Sequence, residues 1–361
     1  MKAYSLKGIG QLEYVDVPMP VMQSGWALVQ VGAAGICGSD IPRIFSTGTY
    51  HFPTIPGHEF SGRVVDVFDR QNQRWIGKRV GIFPLIPCKK CMSCQNKEYE
   101  MCSDYDYLGS RRDGGFAEYT AVPVWNMIEL PDNISMNEAA MLEPAAVALH
   151  AVRRIRLPHN SVVALLGLGT IGIMITQWLH IFGIHKVYTT GHNPGHGSLM
   201  QQIVSADYEY INIDNSQNKD MQTVSENEAV SQIIDSTKGQ GVSIAVDCIG
   251  TSASLDQCIK CVRPGGQILI VGNPKENIFL DKDIYWKILR KQIHLTGTWN
   301  SSFFHDAKDD WHQVIASASN RTFQMSALIT HRLSFDKLHL GLDIARSHNQ
   351  YHNKIMICND L

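Results

Sequence analysis

Four cysteines fall within fifteen positions in "CKKCMSCQNKEYEMC": Cys88, Cys91, Cys94 and Cys102, spaced C-x2-C-x2-C-x7-C. Thiols two residues apart can turn inward round a tight loop, and a fourth from the next segment closes a tetrahedron of sulfurs around zinc. Four thiolates leave no open position, so such a metal is structural. An iron–sulfur cluster uses similar ligands, but nothing around the run points to electron transfer.

A different set of donors lies upstream. Cys37 stands in "GICGSD" and His58 in "GHEFSG", each among glycines that let the backbone approach closely. One thiolate and one imidazole need a third partner, and two carboxylates offer it: Glu59, beside the histidine, and Glu143 in "MLEPAAVALH". Three protein ligands plus one exchangeable position define catalytic zinc.

The third constellation is "VVALLGLGTIG", where Gly167, Gly169 and Gly172 form G-x-G-x-x-G directly after an apolar run, with Thr170 and Ile171 opening a helical pattern. The first glycine makes the turn, the second admits a pyrophosphate and the third packs helix on strand, while the helix N-terminus stabilises the phosphate charge. An acid about twenty positions on normally holds the adenosine ribose. Here the strand "KVYTTGHNPGH" ends in Gly191, followed by His192 and Asn193 as hydrogen-bond donors. With no carboxylate to repel a 2′-phosphate, both NAD and NADP are admitted.

These residues need two kinds of scaffold. Residues 1–147 are short β-type runs broken by glycine and proline, a barrel-like texture that carries the cysteine lobe at about 85–105. Residues 148–295 alternate strands and helices, the pattern of a doubly wound parallel sheet. Residues 296–361 return to mixed structure and end in the β-type run "NKIMICN", which is expected to complete the first domain. The polar stretch 214–232 reads as a solvated loop and helix face.

Composition narrows the partners. Lys+Arg 32 against Asp+Glu 34 in 361 residues gives a net charge of -2, no footprint for nucleic acid or an anionic membrane, so the expected partner is a small molecule. The amino-terminal stretch lacks the apolar core of a secretory signal, and the apolar runs are interrupted by glycine, so a cytoplasmic protein without membrane spans is expected. Nine cysteines are an odd count, too few for a disulfide scaffold.

Taken in order, "GICGSD", "PGHEFSG", the four-cysteine lobe, "DGGFAEY", "EPAAVALH", "GLGTIG", "DCIG" and "GGQILIVG" resemble the medium-chain, zinc-containing alcohol and polyol dehydrogenase family nearly end to end. "CGSDIPRIF", "LGSRRDGGFAEY" and "KILRKQIHLTGTWNSS" resemble its branch acting on galactitol 1-phosphate. The resemblance implies a GroES-like β-barrel catalytic domain, a Rossmann domain and two zinc ions per chain, one catalytic and one structural. It assigns Cys37, His58 and Glu143 as ligands of the catalytic ion, with Glu59 able to reach it instead. Ser39 becomes the proton relay and Asp40 the carboxylate that orients the histidine. Gly250 and Gly272 join the nucleotide site. Pro42 replaces the histidine that ends the relay in animal alcohol dehydrogenases, so the proton leaves by another route.

The reaction implied is hydride transfer between a secondary alcohol of a polyol and NAD(P), giving a ketose. A phosphorylated substrate calls for cations, and Arg43, Arg111 and Arg112 are candidates, unless Asp104, Asp106 or Asp113 pair with them. Other readings are a free-polyol or threonine dehydrogenase, or a non-catalytic zinc-stabilised nucleotide-binding protein. A homo-oligomer, dimer or tetramer, is expected.

Overall fold

The computed structural model describes residues 1–204, 207–213, 224–347 and 349–359. Two compact units emerge, one formed by Met1–Ala146 with Ser301–Leu361 and the other by Val147–Asn300.

In the first unit a mostly antiparallel sheet runs in the order Ile329–Ser334, Lys354–Cys358, Trp26–Ile36, Glu59–Val67, Arg79–Ile82, Met127–Glu129, with Tyr119–Pro123 also paired to Trp26–Ile36. The central strand, "WALVQVGAAGI", is small or β-branched along its buried length, which lets strands pack closely around it. Its register places Gly35 opposite Glu59 on one side and opposite Met356 on the other. Tyr4, Val29, Phe60, Phe116 and Ile355 share one buried apolar cluster, so the carboxyl-terminal strand belongs to the same core as the first strand of the chain. Filling that core is the main stabilising term, about 1.5–3 kcal/mol per large apolar side chain.

The second unit is a six-stranded sheet in the order Tyr208–Asn212, Lys186–Gly191, Val162–Leu166, Val242–Asp247, Val262–Ile270, His294–Gly297, with every pairing parallel. Strands such as "VVALL" are apolar at consecutive positions because helices cover both faces of such a sheet. The strand order reverses at Val162–Leu166, and nucleotides bind at the carboxyl ends of strands at such a switch point. The GroES-like barrel and Rossmann sheet expected from the sequence are therefore both present.

Of the polar stretch 214–232, residues 214–223 lie outside the described residues. The remainder opens the helix Glu226–Ser236, whose N-terminus is closed by a reciprocal capping box between Ser225 and Glu228. Among the described residues no helix is long and apolar enough to cross a membrane.

Candidate active site

Donor atoms of Cys37, His58 and Glu59 lie within 4.8 Å of one another. Cys37 follows the end of strand Trp26–Ile36 and Glu59 begins strand Glu59–Val67, so the sheet register itself brings the two together. His58 is set by the turn before it, where Gly57 takes φ +95 with the Phe116 ring against it, leaving no room for a side chain.

Asp40 anchors the cluster from behind. Its carboxylate is fully buried, accepts the Cys37 N–H at 2.9 Å and Nη1 of Arg43 at 2.9 Å, and stands 3.4 Å from Nδ1 of His58. With Nδ1 turned to Asp40, the other ring nitrogen is left to act as donor to a metal. Burial opposes the charge on Asp40, yet His58 and Arg43 outweigh it and hold the carboxyl below its usual range. For His58 burial likewise opposes charging, but Asp40 and Cys37 raise its pKa well above the ordinary value. The Ser39 hydroxyl donates to Sγ of Cys37 at 3.3 Å.

Glu143 opens the helix Leu142–Arg153 and is buried. It falls outside the group of three within 4.8 Å, but its charge is felt by the same residues. Burial first, then the nearby Glu59 carboxylate, push its pKa up to about 7 against the pull of His58 and Lys354. The Tyr107 hydroxyl donates to it. Sequence reasoning missed Tyr107 and Lys354. Lys354 donates to Oε2 of Glu59 at 2.5 Å and to the Ile36 carbonyl at 3.2 Å, with both side chains of the ion pair buried. The signal was a lysine at the head of the apolar run "KIMIC", where a buried strand leaves no solvent for its charge.

The donor sets suit zinc. A thiolate, an imidazole and carboxylates in a buried pocket are the ligand chemistry of a catalytic ion with one open position. In the lobe, the four cysteine sulfurs lie within 4.8 Å of one another, with Cys88–Cys94 at 4.0 Å and Cys91–Cys102 at 3.9 Å. A tetrahedron with Zn–S bonds of about 2.3 Å has edges of about 3.8 Å. Backbone N–H groups of Cys94 and Ser103 lower the Cys91 thiol to about 6, whereas burial pushes Cys94 up to about 12 and Cys102 upward, so without a cation the four sulfurs do not all ionise together.

In the second unit Gly167 takes φ +93 at the end of its strand, and a Cβ on Gly172 would stand 2.6 Å from the Gly167 carbonyl, so helix and strand pack closely there. Thr170 and Ile171 form the first turn of the helix Thr170–Ile181, for which Gly169 is the N-cap. A Cβ on Gly169 would meet nothing within 4 Å. Gly191 lies under Tyr210, whose ring would also collide with any side chain at Gly197. His192 is exposed, whereas Asn193 caps the helix Pro194–Ile203 by accepting the Gly195 N–H at 2.9 Å. Gly250 and Gly272 pack backbone against backbone, with no room for a side chain between them, and Asp247 accepts the Gly250 N–H at 3.0 Å.

The three arginines differ in their partners. Arg43 is held by Asp40, and Arg112 donates to Asp106 at 2.8 Å. Arg111 lies against the Tyr50 and Tyr105 rings, 4.3 and 4.4 Å from their centroids, and donates to the Tyr105 carbonyl at 2.9 Å. Among the described residues it has no carboxylate within 4 Å.

A parallel nucleotide-binding sheet in one unit, with a barrel carrying two zinc-type donor sets in the other, defines a medium-chain dehydrogenase. Residues 23–132 match the family model described as alcohol dehydrogenase GroES-like domain, and residues 170–320 match that of zinc-binding dehydrogenase. The chain is 31% identical over 322 residues to a galactitol 1-phosphate 5-dehydrogenase of Escherichia coli, covering 88% of this chain and 89% of that one. It is 30% identical to a sorbitol dehydrogenase of Bacillus subtilis, over 77% and 76% of the two chains. The crystal structure of galactitol-1-phosphate dehydrogenase from Escherichia coli superposes with a TM-score of 0.85 at 28% identity, covering 99% of this chain and 100% of that one. The chain belongs to the zinc-dependent alcohol and polyol dehydrogenase family, and it is an enzyme of that class.

Proposed function

We propose that this enzyme transfers a hydride between a secondary hydroxyl carbon of a hexitol phosphate and NAD(P), giving the ketose phosphate. The observation that carries the reaction type is the convergence of Cys37, His58 and Glu59 on one buried point, with Glu143 beside them. A zinc ion held there supplies Lewis-acid polarisation of the reacting oxygen. Ser39 is the group placed to receive and pass on the hydroxyl proton, and Asp40 keeps His58 in a fixed orientation. In the lobe, Cys88, Cys91, Cys94 and Cys102 would hold a second, structural zinc. Gly167, Gly169, Thr170, Ile171 and Gly172 would cradle the pyrophosphate, Gly191, His192 and Asn193 the adenosine ribose, and Gly250 and Gly272 the remainder of the nucleotide.

The phosphate preference rests on Arg111. Arg43 and Arg112 are neutralised by carboxylates, while the Arg111 guanidinium is clamped by rings and a carbonyl, which leaves its charge for an anion. Tyr105 links it to the metal-side residues, its ring 6.2 Å from that of Tyr107. The relatives include a galactitol 1-phosphate enzyme and a sorbitol enzyme, so a free polyol is the second reading. A panel of hexitols and their phosphates assayed with NAD and with NADP decides between them. Equal kcat/KM for free and phosphorylated hexitols would remove the role of Arg111.

A homo-oligomer is also part of the proposal. The helix Lys282–Lys291, which precedes the edge strand His294–Gly297, exposes Tyr285, Trp286 and Leu289, each more than half accessible, a face suited to a second copy. A monomeric mass by light scattering at micromolar concentration would sink it. A cytoplasmic location is supported by nine cysteines of which none is joined in a disulfide, five of them in the two metal-type donor sets.

A further inference from the structure

Arg111 is joined to the metal-side residues through the backbone as well as through rings. The Tyr107 carbonyl accepts the N–H groups of Arg111 at 2.9 Å and Arg112 at 3.0 Å, so the turn carrying the guanidinium hangs from the residue whose hydroxyl donates to Glu143. The segment that follows lies along the stretch leading into His58. The Ile55 N–H donates to Asp113 at 2.8 Å, the Gly114 N–H to the Ile55 carbonyl at 2.8 Å and the Gly115 N–H to the Gly57 carbonyl at 2.8 Å. A Cβ on Gly109 or Gly114 would come within 2.6 or 2.0 Å of the Gly57 oxygen, so the two backbones touch immediately before His58.

The outer end of this strap is open. Tyr50 is 69% exposed, yet its ring covers the Arg111 guanidinium, and its N–H donates to the Ser110 carbonyl at 3.3 Å. Nε2 of His51 donates to the Arg111 carbonyl at 3.0 Å. Nε of Arg111 is shielded from solvent and has no hydrogen-bond partner among the described residues. A donor left unmade in this way costs free energy that an anionic acceptor recovers, and a phosphoryl dianion matches the guanidinium fork.

We propose that the phosphoryl group bound at Arg111 activates the enzyme as well as anchoring the substrate. Its binding shifts the exposed Tyr50 ring and fixes the strap, and with it Tyr107 and His58, so that the gain appears in the rate of hydride transfer and not in affinity alone. The inference rests on the hexitol-phosphate reading of the proposed function. Its consequence is that the dianion need not be attached to the polyol: inorganic phosphite, neither consumed nor transferred, completes the site beside a hexitol that lacks a phosphate.

The holoenzyme is assayed with galactitol, NAD or NADP and increasing phosphite, and phosphite binding is measured separately by titration calorimetry. Phosphite is expected to raise kcat/KM for galactitol at least about tenfold, with kcat rising as well. It should inhibit turnover of galactitol 1-phosphate competitively, because both anions occupy Arg111. Arg111→Gln should lose both the calorimetric binding and the activation, whereas Arg112→Gln, whose native partner is Asp106, should keep them. No activation in the wild type overturns the proposal, whether or not phosphite binds. Activation undiminished in Arg111→Gln overturns the assignment to Arg111. If Arg111→Gln fails to fold, the wild type decides: activation with competition supports the proposal, and activation without competition places the anion elsewhere and overturns it. The two readings fail separately. Preference for the hexitol phosphate without phosphite activation leaves the proposed substrate standing, and equal kcat/KM for free and phosphorylated hexitols removes both.

Discussion

The Tyr107 hydroxyl donates to Oε1 of Glu143 at 3.3 Å, and the Tyr107 ring centroid stands 5.9 Å from that of His58. Burial, then the Glu143 charge, raises the phenol pKa well above its ordinary value, so Tyr107 remains a donor at all working pH. It is the neutral neighbour of a carboxylate otherwise surrounded by charged groups.

Glu143 is shifted from 4.5 to about 7, chiefly by burial. Between those values the folded chain binds more protons than the unfolded chain, so stability falls as pH rises through this window. In chelator-treated protein the effect is expected to be on the order of a few kcal/mol. Glu143→Gln should flatten the slope of melting temperature against pH between 5 and 7. A slope unchanged in the variant would assign the titration elsewhere.

Asp40 fixes both Cys37 and His58. Asp40→Asn keeps the shape but removes the charge that orients the imidazole, and zinc affinity is expected to fall roughly 10- to 100-fold. Chelator competition measures this directly, and an affinity within twofold of wild type contradicts the assignment.

Each chain is expected to hold two zinc ions. Cys94→Ser breaks the four-thiol set and should lower the zinc content by one and depress the melting temperature, since the sulfur is buried. Elemental analysis that still finds two ions in the variant excludes a four-sulfur site.

Gly169 has φ −97 and ψ −162, which other residues also adopt, and open space where a Cβ would stand. Gly169→Ala should therefore melt like the wild type while losing affinity for NAD and NADP, because the methyl group occupies the approach of the pyrophosphate. At Gly172 the Gly167 carbonyl lies 2.6 Å from a new Cβ, so Gly172→Ala is expected to cost stability as well. Titration calorimetry with parallel melts separates the two, and unchanged nucleotide affinity in Gly169→Ala would argue against this site.

Local pattern determined much of this protein in advance. The spacing of Cys88, Cys91, Cys94 and Cys102, the glycine fingerprint after "VVALL" and the alternation of strand and helix are each short-range signals, readable because sulfur geometry, turn conformation and sheet burial constrain neighbours in the chain. What only the tertiary structure decided are contacts between distant segments. Lys354 reaches Glu59 from 295 positions away, and it does so because two strands flank a third at Gly35, where that strand has no side chain. The surroundings of Arg43, Arg111 and Arg112 were decided in the same way: all three carry the same charge in sequence, and only the fold sets Arg43 and Arg112 against carboxylates and Arg111 against the Tyr50 and Tyr105 rings.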